Sequence, residues 1–158
     1  MKITHSLFLC LVLIALAGCA TQVGTTTFPE PTAGFTPKDT YAIPYDKVWD
    51  ASVNALDKNR IATTSMEKAS GTIGTDYIEG PSALIAGGFV GAQSTRYKFN
   101  LALRNQSNGS VRLNILCKIE STIKGGSGAS QWTDVTSQNR ERATKLETWL
   151  YEEVEKGL

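Results

Sequence analysis

Three hydrophobic patterns run along this chain, and each marks a different kind of element. Leu7 to Leu16 is an unbroken apolar run behind a short head that carries Lys2. From Tyr45 to Asn59 the positions Val48, Trp49, Ser52, Val53 and Leu56 fall on one side at helical spacing. Asp46 in its first turn and Lys58 in its last suit the helix dipole. The same period returns from about Thr136 to Lys156, where Ala143, Leu146, Trp149, Leu150 and Val154 make an apolar stripe. Glu141–Lys145 and Glu152–Lys156 are then i,i+4 ion pairs expected on its wet side.

Between the helices the period drops to two. Tyr97, Phe99, Leu101 and Leu103 share one face, as do Val111, Leu113, Ile115, Cys117 and Ile119. Both apolar sets must meet on the core side, because a one-residue slip would turn every side chain to the wrong face. A two-residue Asn108-Gly109 turn would pair Leu103 with Asn114. A three-residue loop, Ser107-Asn108-Gly109, pairs Leu103 with Leu113 and puts Gly109 at the left-handed position. Tyr41–Ile43 reads as a short strand stopped by Pro44, and Ile61–Met66 with Gly71–Ile78 as a hairpin. Residues 80–94, GPSALIAGGFVGAQS, interrupt the alternation and read as a loop. The order β-α-β-β-β-β-α predicts an α+β fold, an antiparallel sheet of about five strands packed on two helices.

The first apolar run is too short to span a bilayer, which takes roughly 20 residues. A basic head, a short apolar run and small residues at its end make a secretory signal. Its last four residues, Leu16-Ala17-Gly18-Cys19, resemble the lipobox of bacterial lipoproteins. The resemblance implies cleavage after Gly18 and modification of Cys19 with diacylglyceryl and an acyl chain such as palmitate. Ala20, where an aspartate would favour inner-membrane retention, implies the outer membrane, with the body in the periplasm. The domains expected are a signal peptide at 1–18, lipidated Cys19 with a flexible Thr-, Gly- and Pro-rich tether to Lys38, and one α+β domain at 39–158. The segment Tyr41-Ala-Ile-Pro-Tyr-Asp-Lys-Val-Trp, then Ala55-Leu56 and Gly71-Thr-Ile-Gly-Thr75, resembles the helix-grip domains of the BamC family, lipoproteins of outer-membrane β-barrel assembly. That resemblance implies a fold and a compartment; it supplies no site residue.

Charge and composition narrow the chemistry. Losing residues 1–18 from 158 leaves 140 and removes Lys2 and the single histidine, His5. The 16 basic side chains become 15, equal to the 15 acidic ones, a balance that argues against nucleic-acid binding. Without histidine there is no serine–histidine triad and none of the commonest zinc ligand. Gly125-Gly-Ser-Gly-Ala129 lacks both the last glycine of a nucleophile elbow and a base, and Gly87, Gly88 and Gly91 lack a phosphate loop's context. Asp76 and Glu79 read as solvating a strand end. Of the three cysteines, Cys10 leaves with the signal and Cys19 carries lipid, so Cys117 is left as a lone thiol on an apolar face. No enzyme, metal or cofactor is expected.

Two working surfaces emerge. One is the apolar loop with Leu84, Ile85, Phe89 and Val90, which either contacts lipid or protein or folds back over the core. The other is a basic strand face, Arg96, Lys98, Arg104, Arg112 and Lys118 against Glu120, which is either a solvated surface or a site for anionic lipid or an acidic partner. The function expected is a non-catalytic interaction lipoprotein of the outer membrane, held by Cys19 and working with an envelope protein in assembly or maintenance. A carrier of a small apolar ligand between sheet and helix is the alternative, and a filled core discriminates against it. A hydrolase using carboxylates alone is a distant third.

Overall fold

The alternation of the central hairpin translates directly into the longest pair of strands. In the computed structural model, which describes residues 27–85, 91–124 and 131–158, strand β5 (Gly91–Asn105) pairs antiparallel with β6 (Val111–Lys124). Leu103 stands opposite Leu113, the register the three-residue loop requires. Gly109 takes a φ of 79°, and Gln106 N–H reaches Ser110 C=O at 2.8 Å to close the loop. Residues 1–26, including the signal-like run and Cys19, lie outside the described residues, as do 86–90 and 125–130.

The other strands are β1 (Thr40–Tyr41), β2 (Thr63–Glu67), β3 (Thr72–Thr75), β4 (Ile78–Ile85) and β7 (Thr133–Asp134). They build one seven-stranded sheet in the order β1-β6-β5-β3-β2, with β4 also on β5 and β7 also on β6, and every pairing is antiparallel. Helices α1 (Tyr45–Lys58) and α2 (Arg140–Glu155) bury their stripes in one core with Tyr97, Phe99, Leu101 and Leu103 of β5 and Val111, Leu113, Ile115, Cys117 and Ile119 of β6. The α+β class, a sheet packed on two helices, is the architecture the hydrophobic patterns require.

Several expectations change. The region 80–94 is mostly strand rather than loop: Ser82 pairs with Ser94 and Ile85 with Gly91. Its alternation is hidden by a register shift between Glu79 and Ser82, where Pro81 sits on an edge strand that can spare the N–H. The short β7 also escapes the patterns, which raises five strands to seven. Trp149 and Val53 are only partly buried, each packed against the rim of the core. Glu152, expected on the wet side of α2, is 7% exposed.

The last change comes from the expected tether. Its described part, residues 27–38, lies along α2 instead of hanging free. Phe28 packs on Tyr97 at 5.5 Å between ring centroids. Glu30 pairs with Arg142 and Lys145. The N–H and hydroxyl of Thr32 donate to Glu152 at 2.7 and 2.6 Å, and Lys38 N–H donates to Glu155 at 3.1 Å. Gly80 makes room for this strap, since a Cβ there would stand 3.0 Å from the Phe28 ring.

Candidate functional site

The face of the sheet turned away from the helices carries all five residues of the basic set. Strand parity sends Arg96, Lys98 and Arg104 to the side opposite Tyr97, Phe99 and Leu103, and the register places Arg96 against Glu120, Lys98 against Lys118 and Arg104 against Arg112. Like charges directly opposite one another are unfavourable unless carboxylates intervene. They do intervene, at both ends of the face.

At one end Glu120 collects its neighbours. Arg96 donates to one of its oxygens through Nε and a terminal nitrogen, at 2.9 and 2.7 Å. Lys118 and the Tyr77 hydroxyl reach the other oxygen at 2.8 and 2.7 Å. Burial opposes ionisation of Glu120, but the hydrogen bonds from Lys118, Tyr77 and Arg96 outweigh it and hold its carboxyl at about 2. The Arg96 guanidinium is itself sandwiched between the rings of Tyr77 and Trp132, 3.9 and 4.1 Å from their centroids. This contact fastens the chain leading into β7 onto the open face. Lys98 stands 4.9 Å over Tyr77, and Asp134 adds a second carboxylate 3.6 Å from Lys118.

At the other end Arg112 holds Asp39 through two nitrogens at 3.0 and 2.9 Å, and this pairing keeps the Asp39 carboxyl below its ordinary range. Arg104 donates to the Ser70 carbonyl at 3.1 Å. With Ala102 and Asn114 these groups line a shallow cleft of about 410 Å³. Between the two ends lies Leu116, 50% exposed and opposite Asn100. The basic set is therefore two ion-paired clusters flanking a polar and apolar middle, not one continuous cationic stripe.

The partners that divide this face, Asp39, Tyr77, Trp132 and Asp134, carry no signal in the sequence. Each comes from a segment whose position depends on the whole fold. Of the apolar loop set, Leu84 and Ile85 belong to β4, opposite Ala92 and Gly91, while Phe89 and Val90 lie outside the described residues. Asp76 sits between β3 and β4, and Glu79 stands opposite Arg96.

Among the described residues the core side is closed to solvent around Phe99. Phe99 is wholly buried, with Tyr97 edge-on at 5.7 Å and Trp149 tilted at 6.3 Å. Leu146, Leu150 and Val154 are wholly buried across from it. Cys117 is enclosed here too, and burial, with the nearby Glu147, pushes its thiol up to about 12. A thiol in that state is no nucleophile. Among the described residues no helix is long and apolar enough to cross a membrane. Neither a protein-family model nor a curated protein sequence matches the chain.

Proposed function

We infer that this chain is a lipoprotein anchored through Cys19 in the outer membrane, whose single domain is a non-catalytic protein-interaction module facing the periplasm in envelope assembly or maintenance. The observation that carries the reading is the contrast between the two sides of the sheet. One is closed to solvent around Phe99, while the other is open, with Leu116 half-exposed between the Glu120 and Asp39 clusters. A carrier needs open space between sheet and helix, where Phe99, Leu146 and Leu150 are wholly buried. An interaction module needs a stable, chemically mixed surface with an exposed apolar centre and a charged rim, and the open face has that composition.

The test is photo-crosslinking in whole cells from position 116, compared with position 47 on the exposed side of α1. The reading expects one envelope protein captured from 116 and not from 47, and acyl chains on Cys19 by mass spectrometry. A purified domain that releases a stoichiometric apolar ligand on extraction would favour the carrier instead. An unacylated chain free in the periplasm would end the lipoprotein reading.

A further inference from the structure

The docked strap determines how much chain is left between Cys19 and the folded body. If the anchor hung from the fold's edge at Asp39, some twenty residues would separate lipid from domain, and the body would tumble freely. Instead, among the described residues, the chain is already held at Phe28, against Tyr97 and Gly80, then at Glu30 by Arg142 and Lys145, and then at Thr32 by Glu152. The strap runs along α2 from its first turn to its last, reaching Glu155 at Lys38. The chain therefore joins the body at the end where α2 begins and where β4 and β5 extend past Tyr97.

Chain length limits which end of the domain can approach the anchor. Nine residues separate Cys19 from Phe28, a span of at most about 30 Å fully extended and about 17 Å as a flexible coil. The opposite end of the sheet, where β5 closes at Asn105 before the Ser107 turn, is eight strand residues from Tyr97, about 26 Å away. An anchor on Cys19 reaches it only with the intervening chain stretched close to its full length. The anchor reaches Ser82 and Ser94 readily, since these lie only a few residues beyond the point where Phe28 is held.

Resting on the proposed lipidation of Cys19, we propose that the domain has a fixed polarity on the bilayer. The end formed by Gly80–Ser82, Ser94–Tyr97 and the first turn of α2 faces the phospholipid surface, and the Ser107 turn points away from it. The strap is then an orienting device. It sets the open sheet face upright, so that Leu116 and its flanking clusters are presented sideways to a partner instead of being pressed against lipid.

The test uses the full mature lipoprotein, reconstituted in vesicles of phosphatidylethanolamine and phosphatidylglycerol with a trace of headgroup-labelled acceptor lipid. Donor dyes are placed singly by Ser82→Cys, Gln138→Cys and Ser107→Cys, all at exposed positions. Acylation of Cys19 is verified by mass in the same samples. Energy transfer to the lipid acceptor from positions 82 and 138 is expected to be at least two-fold that from position 107. Equal or reversed transfer in acylated protein overturns the polarity while leaving the anchor intact, whereas an unacylated chain overturns the anchoring itself. Phe28→Ala combined with Glu30→Ala should bring the three positions toward parity with acylation unchanged. A two-fold preference that survives this double change overturns the strap as the orienting device.

Discussion

The carboxylate of Glu147, on α2, accepts the backbone N–H of Cys117, midway along β6, at 3.0 Å. β1 covers only the start of β6 and β7 only its far part, so the stretch between them would otherwise be a bare strand edge. The helix closes it with side chains. The Tyr151 hydroxyl accepts from Ile115 N–H at 3.1 Å and donates to Leu113 C=O at 3.0 Å. In the turn that leads into α2, the Thr136 hydroxyl accepts from Ile119 N–H at 2.9 Å. Edges left open invite pairing with other chains, and here α2 replaces the missing strand.

Tyr151→Phe keeps the ring and removes both of its hydrogen bonds. It should cost about 1–3 kcal/mol, because a buried N–H and C=O lose their partner together. Glu147→Gln keeps an acceptor for Cys117 N–H and should cost less. Urea unfolding of the two variants checks the order. A Tyr151→Phe loss under about 0.5 kcal/mol would mean the edge does not depend on α2.

Acid should act through Glu120. Its folded carboxyl titrates at about 2 against an ordinary 4.5, so its contribution to stability is complete above pH 4.5 and is lost as pH falls toward 2. Glu120→Gln should flatten the stability profile across that window and loosen Trp132, which the stacked Arg96 helps to hold. Melting temperature and Trp fluorescence between pH 5 and pH 2 are the measurements, and an unchanged profile in the variant would remove Glu120 from the acid response.

The strap makes a prediction of its own. In the native protein the Thr32 N–H, bonded to Glu152, and the Phe35 N–H, bonded to Thr32 C=O at 3.0 Å, should exchange slowly with solvent. Glu152→Ala should speed exchange at both while leaving β5 and β6 protected. Fast exchange at Thr32 in the wild type would show the segment to be undocked.

Packing separates two aromatics that the sequence puts on equal terms. Phe99→Ala should destabilise by about 3–5 kcal/mol, as full burial implies. Trp149, only partly buried at the rim, should lose roughly 2 kcal/mol as Ala, with partial relaxation of its neighbours. Equal losses in chemical denaturation would place Trp149 as deep as Phe99.

Cys117 should resist alkylation at pH 8 in the folded protein, since burial keeps its thiol neutral and out of reach. It should react fully in denaturant. Mass shifts with and without urea read this directly, and native labelling would contradict the packing of β6 under α2.

Wherever one face of an element is wet and the other dry, the sequence alone determined its kind and its facing. The alternation from Tyr97 to Leu103 and from Val111 to Ile119, joined by a loop with Gly109 at positive φ, leaves one register that buries both apolar sets, and Leu103 lies opposite Leu113 accordingly. The stripes of α1 and α2 were legible for the same reason, as was Cys117 among core residues. Tertiary structure decided whatever depends on a neighbour distant in the chain. β4 has no alternation to read, because a register shift at Pro81 breaks its period and β5 supplies its partner. Glu147, Tyr151 and Glu152 look like the polar side of an amphipathic helix, yet each is buried where it serves a backbone or side-chain group of β6 or of the strap. Phe28 and Thr32 read as tether until α2 and Gly80 give them a surface. The basic face shows the same division: parity put five cations on one side of the sheet, but only the fold could bring Asp39, Tyr77, Trp132 and Asp134 from three separate segments to neutralise and divide them. Local periodicity reports the hydrophobic effect along one element, whereas a hydrogen bond or ion pair between elements is set by topology, which no single window of sequence contains.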